Sequence, residues 1–374
     1  PIMADMGFTL SQTTWTFSLA ILMLGLSAGF LGSFAEKIGP KKSGLLAMLF
    51  WVTGLLGTAY ALSIHNLTLL YLFYGIIGGI GLGIGYITPV STLVKYFPNR
   101  PGFATGLAIM GFGFASLIAG PLMQFLVAQF GLVNNFIILG VIYLVIMGAS
   151  SLYLKAPQQK HSTRTTKDKS TMYVHTHGML ANDAMKTWQF GALWWVFFIN
   201  ITCGIGLLSL ASPMAQEAIG MTPAAAASLV GIIGIFNGGG RIAWSTISDY
   251  LGRAKTYILF FIIEIVAFYL LAQTNSALTF QILILLIITC YGGGFSCMPA
   301  YLADLYGIRQ LSTIHGRILT AWGLAGITGP MLVSYFHEAG YGYTTALECF
   351  AALFVLNTII AIVLKIYGKR ELHN

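Results

Sequence analysis

Charge is what this sequence has least of: only 8% of its 374 residues are Asp, Glu, Lys or Arg. A soluble domain needs a polar skin, so a chain that is 57% apolar with mean hydropathy +0.80 belongs in a membrane. Acids are scarcer than bases, 11 against 19, which leaves a net charge of +8. That excess does not imply a nucleic-acid partner, because the cations fall in short clusters between apolar runs. Cysteine is rare as well. Cys203, Cys290, Cys297 and Cys349 all lie within apolar runs without metal-ligand spacing, and so read as buried free thiols. The histidines, His315 among them, fall in loops or at helix ends. Neither a triad nor a metal or cofactor site is assembled, and the chain reads as a non-enzyme.

What is present is a series of apolar runs about 20 residues long, the length of a membrane-spanning helix rather than of a barrel strand. They fall near 12–34, 44–63, 68–94, 102–129, 133–154, 190–214, 223–247, 256–273, 277–303, 312–335 and 343–366. Every alternate loop is basic, and the loops between carry no Lys or Arg. Basic loops face the cytoplasm, so Pro1 is expected outside and Asn374 inside the cell's inner (plasma) membrane. The expected organisation is all-α and polytopic: an N-terminal bundle over 1–156, a cytoplasmic linker over 157–189 and a C-terminal bundle over 190–374. Met179 to Trp188 is expected as a short amphipathic surface helix.

One basic residue breaks the topology rule. Arg241 lies deep in the seventh run, within Asn237-Gly-Gly-Gly-Arg241, eight residues before Asp249. A helical rise of about 1.5 Å per residue puts it roughly 12 Å deeper than Asp249. A guanidinium at that depth costs about 2.5 kcal/mol or more unless it faces protein, water or an anion. The three glycines expose backbone, so a neighbouring helix or a ligand can come close. Glu264, also inside a run, is a candidate proton carrier or, equally, a neutral or snorkelling residue on an outer helix. The alternative use of Arg241 is a structural pair with a buried acid such as Glu264.

The chain also repeats itself. After the first run comes Glu36-Lys37-Ile-Gly39-Pro40-Lys41-Lys42, and after the seventh Asp249-Tyr-Leu-Gly252-Arg253-Ala-Lys255. Each has an acid, a glycine three residues on, and cations, one half-protein apart. An acid at a helix end can pair with cations and with a neighbouring helix terminus, which makes Glu36, Lys37, Gly39, Asp249, Gly252 and Arg253 candidate gating residues.

This paired loop resembles the signature of the major facilitator superfamily. The resemblance implies two pseudo-symmetric helix bundles, with the runs corresponding to helices 2 to 12 and the first helix absent from the chain. Tyr71 to Tyr86, Lys95-Tyr-Phe-Pro98, Arg100 to Gly106, Asn237 to Arg241, Tyr291 to Ala300 and His315 to Trp322 resemble the oxalate/formate antiporter group and its monocarboxylate-transporter relatives. Members of that group move small carboxylates and carry an arginine at the place of Arg241. The resemblance implies Tyr86 and Tyr291 as further substrate-binding candidates, and Asn200 and Trp322, in helices 7 and 11 on that count, are two more. Where the oxalate exchanger has a second cation in its eleventh helix, Trp322 stands here, which favours a monocarboxylate such as formate, lactate or pyruvate. The expected function is secondary transport of that anion by alternating access, as an antiporter or as a proton symporter. The alternatives are an oxalate/formate-type dicarboxylate exchanger and a non-transporting anion sensor. Expected partners are a small carboxylate, the lipid bilayer and, in a symporter, protons; no feature specifies an oligomer.

Overall fold

The computed structural model describes residues 6–8, 10–97, 99–155 and 178–368, and every regular element among them is helical. The helices are α1 (Leu10–Ser63), α2 (Leu67–Tyr96), α3 (Pro101–Tyr153), α4 (Trp188–Glu217), α5 (Pro223–Leu251), α6 (Arg253–Gln273), α7 (Ala277–Tyr306), α8 (Leu311–Ile318), α9 (Thr320–Glu338) and α10 (Gly342–Tyr367). Their starts follow ordinary capping chemistry. Asn66, Thr187 and Thr222 each accept a hydrogen bond from a backbone N–H three residues on, and Pro223 opens α5, where no intrahelical N–H is needed.

Eight of these helices are long and apolar enough to cross a membrane. α1 and α3, of 54 and 53 residues, are each two helices joined at a glycine: Gly39 at φ 81° and Gly131 at φ 81°. A side chain at either position would clash with the following carbonyl, so glycine sets the bend. With α1 and α3 each counted as two, the eight helices account for every expected apolar run except 312–335, which is divided at Leu319 into α8 and α9. The expected surface helix over 179–188 is reduced to one turn, Ala181–Ala184. The basic part of the linker, up to 177, lies outside the described residues.

Packing sorts the chain into two compact units, each built like a membrane bundle. The first comprises 1–96, 118–181 and 307–324. Small residues bring α1 and α2 together: side chains at Gly54, Gly79 or Gly83 would strike Gly78, Met23 or Ser27. Its core gathers Leu55, Leu62, Leu126 and Phe136, beside Trp51 set edge-on to Tyr143 at 6.0 Å. The second unit comprises 97–117, 182–306 and 325–374. Phe268 stacks on Phe354 at 5.6 Å within its core. Interhelical hydrogen bonds run from Tyr257 to the Gly294 carbonyl (2.6 Å) and from Asn357 to the Val196 carbonyl (3.0 Å). Hydrocarbon offers a buried polar group no other partner, so such bonds help select which helix faces meet. Large apolar side chains remain outside, Phe30, Ile118, Val145 and Leu278 among them, as a bilayer solvent allows.

Candidate functional site

In the second unit, the Gly-Gly-Gly-Arg stretch of α5 divides its glycines among neighbours. Gly238 meets Phe114 of α3, Gly240 meets the Thr289 backbone of α7, and Gly239 faces open space. These close approaches seat Arg241 inside the protein, 4% exposed. Its guanidinium lies over the Phe295 ring, 5.0 Å from the centroid. Nε donates to Asn237 Oδ1 (3.2 Å), one turn back on the same helix, and Nη1 reaches the Ile109 carbonyl (3.5 Å). The Arg241 carbonyl is held in turn by the hydroxyls of Ser245 and Ser296. A desolvated cation–π contact contributes on the order of 2 kcal/mol, comparable with the cost of bringing the charge inside.

Two other candidates share this setting. Tyr291 sits edge-on to Phe295 at 5.4 Å, its ring against Gly204 of α4. Asn200, one turn before Gly204, is fully buried against Gly294, and its amide nitrogen and oxygen make no hydrogen bond within the structure. A buried amide without partners is costly, by about 1–3 kcal/mol, and marks a place where a polar guest would be welcome. Arg241, Tyr291 and Asn200 thus converge through Phe295 and the glycines of α7. Phe295, Asn237 and Ser296 are not among the binding candidates that the sequence offers; the signal for Asn237 is its i,i+4 spacing from Arg241.

Tyr86 and Trp322 meet in the first unit, their rings 5.3 Å apart, with His315 5.8 Å from Tyr86 on the α8 side. His315 is buried there, although the sequence places it only at a helix end. Glu264 is buried in α6 at 1% exposure, and its Oε2 has no hydrogen-bond partner.

The repeated loops show how an acid uses its surroundings. Asp249 accepts from the backbone N–H groups of Gly102 and Phe103, both at 2.9 Å, at the start of α3. Two orphan amides and a helix dipole there favour a carboxylate. Arg253 adds a 2.5 Å ion pair to Asp249, a 3.2 Å pair to Asp304 and a hydrogen bond to Ser248. Gly252 makes the turn at φ 91°. In the first unit Gly39 makes the same turn, but Glu36 pairs with Lys95 of α2 (3.2 Å) and accepts from Thr313 of α8 (3.3 Å). Lys37 is exposed.

Two helical units, each with an acid-and-glycine loop, match one known architecture. Residues 1–263 and 193–371 match the Major Facilitator Superfamily. The chain belongs to that superfamily. This major facilitator chain is 29% identical over 329 residues to the "Uncharacterized MFS-type transporter YhjX" of Escherichia coli, covering 87% of this chain and 79% of that protein. It is 25% identical over 349 residues to the oxalate:formate antiporter of Oxalobacter formigenes, covering 92% of this chain and 80% of that one. Over 42% of its length it is 33% identical to human monocarboxylate transporter 12, of which the match covers 32%. Among solved structures, the human organic anion transporter MFSD10 superposes with TM-score 0.74 at 14% identity, over 96% of this chain and 87% of that one. The Escherichia coli fucose:proton symporter FucP follows at TM-score 0.73 and 15% identity, over 97% and 93%. At those identities the superpositions speak for the fold alone. It is therefore a multi-pass membrane protein of a transporter family.

Proposed function

We propose that the chain carries small organic anions, monocarboxylates of the formate, lactate or pyruvate class, across the cell membrane by alternating access. Its C-terminus would lie in the cytoplasm. The buried guanidinium of Arg241, cradled by neutral groups on Asn237 and Phe295, carries the reading. A guanidinium suits a bidentate grip on a carboxylate, and neutralising it lets a dry cavity close. Tyr291 and Asn200 would complete the grip from the same unit. Tyr86 and Trp322, the aromatic pair of the first unit, are proposed as further substrate-binding residues. Asp249 with Arg253, and Glu36 with Lys95, would latch one end of the transport cycle. Relatives named for formate, oxalate and monocarboxylates support this substrate class. In a proton-coupled cycle Glu264, buried with a free carboxyl oxygen, is the proposed carrier.

Counterflow in proteoliposomes tests the proposal. Vesicles preloaded with unlabelled formate, lactate or pyruvate should accumulate the labelled anion, and Arg241→Ala and Arg241→Lys should abolish this while the protein still inserts. Normal counterflow by Arg241→Ala would overturn the site. Strong oxalate exchange would move the substrate to dicarboxylates, the second reading favoured by the antiporter relative that matches 92% of this chain. Tight binding without counterflow would make the protein a sensor.

A further inference from the structure

The first unit carries a groove that the transport proposal leaves unused. It has a volume of about 540 Å³ and lies among α1, α2 and the end of α3, lined by Gly44, Ala47, Pro89, Met147, Ser150 and Leu154. Its lining is mainly apolar. Pro89 has no N–H and cannot donate to the Gly85 carbonyl, so one helical hydrogen bond is missing from the wall that these two residues form. From Leu154 back to Ile146 the groove follows roughly 12 Å of α3.

One rim is basic. Lys41 and Lys42 precede Gly44 on α1, Lys155 follows Leu154, and all three side chains are exposed. Glu36 is the one acid among the described residues of this unit, and Lys95 already pairs with it. Tyr153, 86% exposed, stands at the same rim, and the Tyr96 hydroxyl donates to the Lys155 carbonyl at 3.0 Å, which ties the ends of α2 and α3 together there. Tyrosines beside lysines at the end of membrane helices mark the headgroup level.

We propose that this groove binds an anionic phospholipid, one acyl chain lying along Met147 and Ala47 and the phosphate resting on Lys41, Lys42 and Lys155. Clustered cations at a helix end attract anionic headgroups, and an apolar cleft inside the bilayer is filled by acyl chain rather than by water. Thr88 lines both this groove and a cavity of about 40 Å³ beside Glu36 and Lys95. A lipid seated here therefore touches the wall of that ion pair.

Native mass spectrometry and thermal unfolding of the full chain in detergent, with phosphatidylglycerol or phosphatidylcholine added, provide the test. Phosphatidylglycerol should be retained and raise the unfolding temperature, and phosphatidylcholine should do neither. Each of Lys41→Gln, Lys42→Gln and Lys155→Gln should weaken retention roughly fivefold. Ser150→Trp, on an exposed face of α3, should displace the acyl chain without lowering the lipid-free unfolding temperature. Equal stabilisation by the two lipids, or unchanged retention in the triple Lys variant or in Ser150→Trp, would overturn the proposal.

Discussion

The Glu36 loop and the Asp249 loop have the same pattern and the same backbone turn, at φ 81° and 91°, yet their acids are held differently. Asp249 is almost enclosed and takes two backbone amides and a guanidinium, whereas Glu36 and Lys95 keep side-chain exposures of 19% and 32%. The difference starts from single residues. Position 253, directly after the glycine, is Arg; the corresponding position 40 is Pro, so Glu36 must take its cation from another helix. Gly102, where a side chain would strike Ser245, Asp249 and Arg253, lets a helix N-terminus meet Asp249. A repeated motif thus specifies a turn and an acid, while its neighbours set how strongly the acid is held.

Asp249→Ala should widen the contrast most. It leaves two helix amides without their acceptor and Arg253 with only Asp304 and Ser248, and breaking a buried pair costs about 3–5 kcal/mol. The check is thermal unfolding of the purified variant, and a loss no larger than that of Glu36→Ala would remove the asymmetry. Gly102→Ala should come next, at about 1–3 kcal/mol, because the methyl group forces α3 away from α5. Its signature is that Asp249→Ala adds little on top of it, read as a double-mutant cycle. Glu36→Gln should cost about 1 kcal/mol or less, since the pair is partly solvated. Lys37→Gln should shift stability by less than about 0.5 kcal/mol, because Lys37 faces outward and Lys95 holds the acid. A large effect at Lys37 would mean that the loop, not α2, supplies the working cation.

Arg241 was legible in the sequence because a lone cation among apolar residues has few uses, and the structure does bury it. Phe295 was not legible, because an aromatic residue in an apolar helix carries no mark of which neighbour it meets. Lys37 could be read as a partner for Glu36 because it is adjacent in sequence, but Lys95, 59 residues away, fills that place. Likewise nothing local shows that 97–117 packs with the C-terminal helices, or that 307–324 packs with the N-terminal ones.

The sequence by itself determined an all-helical membrane chain, the places of most of its spans, the repeated loop and a charge buried among apolar residues. Length, hydropathy and glycine are local properties, and a bilayer enforces them residue by residue. Only the tertiary structure decided which helix faces meet, and so which cation answers Glu36, which ring lies under Arg241 and which amides hold Asp249. In a membrane both faces of a helix can be apolar, so hydrophobic periodicity does not separate inside from outside; close packing of small residues and a few polar contacts make that choice.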